Sequence, residues 1–221
     1  MNERDHQTAG RMRALLERGG AGANGASFRA ALLDVAPLDR DEWVDVAFGL
    51  GPLPDDGADL PRGCVPYLQC RVDSLLRAID LAPIEASDTL VDIGSGAGRA
   101  AALIRLLTGA TVAGVEVQRA LVDAARELVA RLRFDRVSFV AAEVPPLPEP
   151  ARAGTVFLLN CPFSGDRLVR QLADLEPVAR ARPIRLCCVD LPLPPCSWLA
   201  PVAASVDVEI HRSVALSERR A

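Results

Sequence analysis

The sequence contains no lysine; all 25 of its cationic side chains other than histidine are arginine. With abundant alanine, leucine and proline, this resembles the bias of a GC-rich bacterial genome. Aromatic residues make up only 4% of the chain, and there is one tyrosine, Tyr67. Histidine is confined to His6 and His211, and the six cysteines show neither CxxC spacing nor a histidine nearby, which argues against a zinc site. Reduced, mostly buried thiols in a cytoplasmic protein are the expectation. The opening residues, MNERDHQTAG, lack the apolar core of a secretory signal. No run of about 18 apolar residues exists to span a bilayer. Net charge is −4 and the pI is about 5.3, so charge gives no nucleic-acid footprint.

What remains is an ordinary globular composition, 50% hydrophobic and 24% charged over 221 residues. That length suits one substantial domain with a modest extension. Residues 1–62 read as a helical extension. Met12, Leu15 and Leu16 share one helical face within Arg11 to Arg18, and Gly19 and Gly20 stop that helix. Ser27 is placed to cap a helix carrying Phe28, Ala31 and Leu32. Asp39 is placed to cap DRDEWVDVAFGL, with Glu42 in capping-box position. The apolar faces of these helices require a cover, either the main domain or a partner subunit. GLGPLPDDGADLPRG then reads as a loop.

Residues 63–221 read as the main domain. CRVDSLLRAIDL puts Val72, Leu75, Leu76 and Ile79 on one helical face. Strand and helix patterns then alternate: TLVDIG, AAALIRLL, TVAGVEV, ALVDAARELVARLR, RVSFVA, TVFLLN, GDRLVRQLADL and PIRLCCVDL. The strands are nearly continuous apolar runs, as expected when both sheet faces are covered. The chain is therefore predicted to be α/β, a doubly wound and mostly parallel sheet. SVDVEIHRSVAL supplies an antiparallel C-terminal strand. Cys187 and Cys188, adjacent in one strand, point to opposite faces.

The first of these strands runs into VDIGSGAGR. Gly94, Gly96 and Gly98 lie at a strand-to-helix turn on the carboxyl edge of the sheet, where open α/β folds bind ligands. Glu116 ends the next strand, placed to accept both hydroxyls of a ribose, with Val117 beside it. Two cofactor classes share this layout. A dinucleotide fingerprint, GxGxxG, needs its third glycine where Arg99 stands. Asp92, two residues before Gly94, would repel a diphosphate but suits a cationic ligand, a sulfonium bearing an ammonium group.

VDIGSGAGR followed by GVEV resembles motif I and the next acid of class I S-adenosyl-L-methionine (SAM)-dependent methyltransferases, over roughly residues 66–217. The resemblance implies a seven-stranded sheet, in which Asp92 and the glycine loop hold the methionine part of SAM and Glu116 holds its ribose. It also implies that Glu143, in SFVAAEV, contacts the adenine amino group. The product would be S-adenosyl-L-homocysteine. CVPYLQCRVDSLLRAIDL resembles the segment that closes over the cofactor in bacterial and mitochondrial seven-strand enzymes, including protein-lysine methylases. Val65, Pro66 and Tyr67 match that segment.

NCPF, Asn160 to Phe163, resembles the [DN]PP[YF] motif of enzymes that methylate amino groups, with Cys161 replacing the first proline. The resemblance implies that Asn160 orients the acceptor beside the cofactor and that Phe163 packs against the nucleophile. The acceptor would be a protein amine, or a small-molecule amine or hydroxyl. Two rivals stand beside this reading: a SAM-binding module without turnover and an NAD-type oxidoreductase. His211 is placed near the pocket rim, though a structural role suits it better. The sequence names neither the acceptor nor an oligomeric state.

Overall fold

The computed structural model describes residues 1–22, 24–55, 57 and 60–214. Three helices lead the chain: α1 (Glu3–Gly19), α2 (Gly25–Leu33) and α3 (Arg40–Phe48). Helix α1 starts well before the apolar spacing predicts, because the Asn2 side chain accepts the Asp5 N–H at 2.9 Å and caps it there. Ser27 lies inside α2 and is not its cap; Asn24 holds the N-cap position and gives its side-chain amide to the Gly20 carbonyl. The capping box of α3 does not form either. Asp39 and Glu42 both turn to the Met1 ammonium, each at 3.2 Å.

The alternation follows: α4 (Val72–Leu81), β1 (Thr89–Ile93), α5 (Arg99–Thr108), β2 (Thr111–Glu116), α6 (Arg119–Arg131), β3 (Val137–Ala141), β4 (Val156–Asn160), α7 (Gly165–Ala181) and β5 (Arg185–Val189). β6 (Leu199–Ala204) and β7 (Val208–Ser213) close it. All seven strands form one sheet in the order β3-β2-β1-β4-β5-β7-β6. β1 to β5 are parallel, and β7 runs antiparallel between β5 and β6. The strand order reverses between β1 and β4, and the crevice above their carboxyl ends is where such folds take ligands. Of the predicted closing segment, Ala215 and Leu216 lie outside the described residues.

β6 escapes the sequence reading for a physical reason. It is an edge strand with Pro201 inside and mostly open side chains, so it lacks the apolar run that marks its neighbours. No helix among the described residues is long and apolar enough to cross a membrane.

The N-terminal helices are covered by the main domain. Phe28 meets Trp43 edge-on at 5.0 Å and stacks on Phe48 at 5.6 Å; Phe48 meets Phe134, just beyond α6, at 6.2 Å. These rings share one buried core with α4, α5 and one face of the sheet. The other face packs against α7 and the turn after β3. Cys187 belongs to the first core and Cys188 to the second, as strand alternation requires.

Candidate active site

The site is built where β1 and β4 end. β1 delivers Asp92 into the interior, 2% exposed, and the chain then turns through the glycine loop into α5. The loop is held to the next strand: Gly94 and Ser95 both donate N–H groups to the Val115 carbonyl, at 2.8 and 3.1 Å. Glu116 closes the turn. Its Oε2 accepts the Gly96 N–H and its Oε1 the Gln118 N–H, both at 2.9 Å. A carboxylate offers about four lone-pair sites, so each oxygen keeps capacity for a further donor.

Two of the glycines do different work. Gly96, at φ +51°, is covered by the ring of Tyr67; a Cβ there would stand 1.8 Å from the Tyr67 Cε2. Gly98, at φ +80°, faces the interior, where a Cβ would meet Ala125 and Phe139 at 2.8 Å. Gly98 thus seats α5 on the core and does not line the cleft.

Residues 64–70 form a strap over this loop. Cys64 pairs with Phe163 in an antiparallel bridge, and Val65 donates its N–H to the Pro162 carbonyl at 3.1 Å. The Tyr67 phenol oxygen accepts the Ala97 N–H, and burial pushes its pKa up. At the far end Arg99 donates to the Cys70 carbonyl at 2.7 Å. Arg99 is 3% exposed and also reaches Asp45 at 2.9 Å and Asp41 at 2.8 Å on α3. The residue that breaks the dinucleotide fingerprint is therefore a buried tie between glycine loop, strap and N-terminal helices.

Between strap and sheet lies a cleft. Tyr67, Gly94, Glu116, Val117, Asn160 and Phe163 line it together, so six sequence-predicted residues converge. Asp92 and Gly96 are not in its wall; both lie close to Tyr67. Glu143 stands at the rim, its side chain 56% exposed, and accepts from Arg167 at 2.5 Å. His211 sits on β7 beside Glu209, 3.2 Å away, and lies outside the cleft wall.

Asn160 donates its Nδ2 to the Leu68 carbonyl at 3.1 Å, and among the described residues its Oδ1 takes no partner. Cys161 adopts φ +45°. Proline is locked near −65°, so the two-proline motif could not follow this backbone course.

Arg167 is the residue sequence reasoning missed. It lines the cleft at 7% exposure and joins three segments by donating to the Arg62 carbonyl, the Val144 carbonyl and Glu143. The available signal was an arginine on the otherwise buried i, i+4 stripe of α7, with Gln171 and Leu175.

Asp92 gives the site its electrostatic character. Burial, and secondarily the charge of Glu116, push its carboxyl up to about 7 from an ordinary 3.8. Its Oδ2 is buried with no hydrogen-bond partner among the described residues. A buried carboxylate oxygen in that state calls for a cationic donor.

Residues 84–162 match the family model described as methyltransferase domain. No curated protein matches the sequence. Similar solved structures include an RNA methyltransferase from Salinibacter ruber in complex with S-adenosyl-L-homocysteine. It is 22% identical over 66% of this chain and 92% of that one, with a TM-score of 0.51. A SAM-dependent methyltransferase from Aquifex aeolicus is 20% identical over 64% of this chain and 87% of its own, with a TM-score of 0.45. MccD protein is 17% identical over 53% of this chain, which spans about half (52%) of its length, with a TM-score of 0.45. The likeness to the Salinibacter protein bears on the fold.

The residues present fit the cofactor of that family. The orphaned oxygen of Asp92 suits the ammonium of SAM, and the bare backbone at Gly96 lets a ligand lie on the chain. Nothing comparable favours a dinucleotide, since Arg99 is committed to Asp41 and Asp45. The stretch from Ile84 to Pro162 thus matches a methyltransferase domain, and it lies within a seven-stranded sheet of the class I, Rossmann-like order.

Proposed function

We propose that the chain transfers a methyl group to an amine nitrogen presented at Asn160. The observation that carries this reading is the orientation of the Asn160 amide. Its Nδ2 is committed to the Leu68 carbonyl, which turns Oδ1 into the acceptor an incoming N–H needs. SAM supplies a methyl group already activated on a sulfonium. The protein's own part is positioning and exclusion of water, worth several kcal/mol when the reacting atoms are held in line.

In this reading Asp92 neutralises the cofactor's ammonium, and Glu116 takes the ribose hydroxyls on its remaining lone pairs. Glu143, held by Arg167, faces the adenine amino group. Gly94, Gly96 and Val117 give the cofactor its floor, while Gly98 fixes the loop from behind. Tyr67 covers it, and Phe163 backs the acceptor. An alkylamine with a free pKa of about 10.4 must lose its proton first. The mostly apolar wall of Leu60, Val65, Val144 and Phe163 supports that loss by disfavouring the charged form. Residues 63–221 form the catalytic domain and 1–62 a helical extension that buttresses it. We assign the protein to the bacterial cytoplasm, where six free thiols persist.

A second reading, SAM binding without turnover, draws support from one observation: the left-handed backbone at Cys161 departs from the amine-methylating motif. Labelled SAM offered with a panel of peptide and small-molecule amines separates the two. Transfer to an amine is expected, and Asn160→Ala should lower single-turnover methylation about 10²-fold while SAM affinity stays within a few-fold. Binding without transfer to any acceptor would favour the second reading.

A further inference from the structure

The strap raises a question of access. Tyr67, Gly94 and Glu116 line the cleft, but Gly96 and Asp92 do not. The ring of Tyr67 covers Gly96: three of its atoms lie 1.8, 2.5 and 2.6 Å from where a Cβ on Gly96 would stand. Its phenol oxygen takes the N–H of Ala97, the next residue of the loop. Asp92, 2% exposed and with Oδ2 unpartnered, is close enough to influence the same phenol.

We propose that Tyr67 is a gate: its ring occupies the surface that the methionine end of SAM must reach, so the strap has to lift before the cofactor can seat. This inference rests on the reading that SAM binds in this cleft.

The strap is built for a limited excursion. One end is fixed by the pairing of Cys64 with Phe163 and of Val65 N–H with the Pro162 carbonyl. The other is fixed by the buried guanidinium of Arg99 on the Cys70 carbonyl. Between them the middle is held down by contacts that include the ring on Gly96, the phenol on Ala97, and the Asn160 amide on the Leu68 carbonyl. Leu68 itself is 67% exposed, so the apolar surface that lifting this stretch uncovers is mainly the Tyr67 ring. Local openings of this kind, with few buried contacts to break, are drawn from the low-stability end of a structure. The Asn160 contact also couples the gate to the acceptor position, since raising Leu68 releases the amide that would orient the acceptor.

A gate and a clamp differ in kinetics. A gate limits association, whereas a clamp that only grips bound cofactor limits dissociation. The test is rapid-mixing kinetics with S-adenosyl-L-homocysteine as probe. For the unmodified protein the observed association rate should level off at high probe concentration, at the rate of strap opening. Tyr67→Ala should remove that plateau and raise the association rate constant at least tenfold, a larger change than in dissociation. An unchanged association rate with dissociation at least tenfold faster would make Tyr67 a clamp and overturn the gate. A strictly linear concentration dependence in the unmodified protein would overturn it too. If Tyr67→Ala does not fold, Tyr67→Leu carries the same comparison with the ring removed. Absence of any binding by the unmodified protein would instead strike the SAM reading of the cleft, which is a separate result.

Discussion

Gly96 donates its backbone N–H to the Oε2 of Glu116 across 2.9 Å, so the glycine loop and the end of β2 share one carboxylate. Glu116 is thus both a brace for the loop and the group assigned to the ribose. Glu116→Ala should weaken SAM binding by roughly 1.5–3 kcal/mol, the scale of hydrogen bonds to a charged group. It should also lower the stability of the protein without cofactor, because the N–H groups of Gly96 and Gln118 lose their acceptor. Calorimetric titration and thermal melting read the two effects separately. An unchanged dissociation constant in a folded variant would remove Glu116 from the ribose.

Asp92 sets a pH dependence with a definite sign. Its folded-state carboxyl stands at about 7, above its ordinary 3.8, so the folded protein holds this proton more tightly than the unfolded chain. Stability from this group is therefore complete below about pH 4 and declines as pH rises to about 7, by up to about 1.4 kcal/mol per pH unit. Asp92→Asn should melt higher than the unmodified protein at pH 8, with the advantage shrinking toward pH 4. Binding runs the other way. A cationic ligand needs the carboxylate, so SAM affinity should climb as pH rises through 7, and Asp92→Asn should bind weakly with no such climb. Equal melting temperatures at pH 8 would show that the carboxyl is not raised.

Gly96→Ala tests the contact with Tyr67. A left-handed backbone costs a residue with a Cβ about 1–2 kcal/mol, and here the Cβ also enters the Tyr67 ring. The variant should lose at least that much stability and most of its SAM affinity. Adding Tyr67→Ala should restore part of the stability, leaving only the backbone strain. Additive losses in the double variant would mean that the two residues do not touch.

Arg99→Met should destabilise the fold by about 1–3 kcal/mol, mainly by leaving the buried Cys70 carbonyl without its donor. The aspartates it leaves behind are about one-third exposed and can turn to water, so they add little. Urea denaturation reads the loss. SAM affinity should fall as well, since the strap loses its far anchor.

Most of the sheet was legible because its central strands are buried on both faces and so read as apolar runs. β6 was not, since an edge strand with Pro201 carries no such signal. The start of α1 was hidden for a related cause: its first turns are polar, and only the cap at Asn2 marks them. At the site, the glycine loop and Glu116 were readable because they are close in sequence and obey a spacing rule. The strap on the loop was partly readable through its resemblance. The ties of Arg99 to Asp41 and Asp45, and of Arg167 to Arg62 and Glu143, were not. They join residues far apart in the chain, and local periodicity carries no information about which distant partner a buried guanidinium will find.

The pair Cys187 and Cys188 turns the sheet into a partition with a reporter on each side. Both thiols are buried, which pushes Cys187 up to about 12 and Cys188 higher still, so neither reacts while the structure stays closed. An alkylating reagent reaches Cys187 only when the half holding the N-terminal helices comes apart, and Cys188 only when the half beneath α7 does. Equal labelling rates would mean that the molecule opens as one cooperative unit. Unequal rates would identify which half is shed first, with two sulfur atoms one peptide bond apart keeping the two clocks.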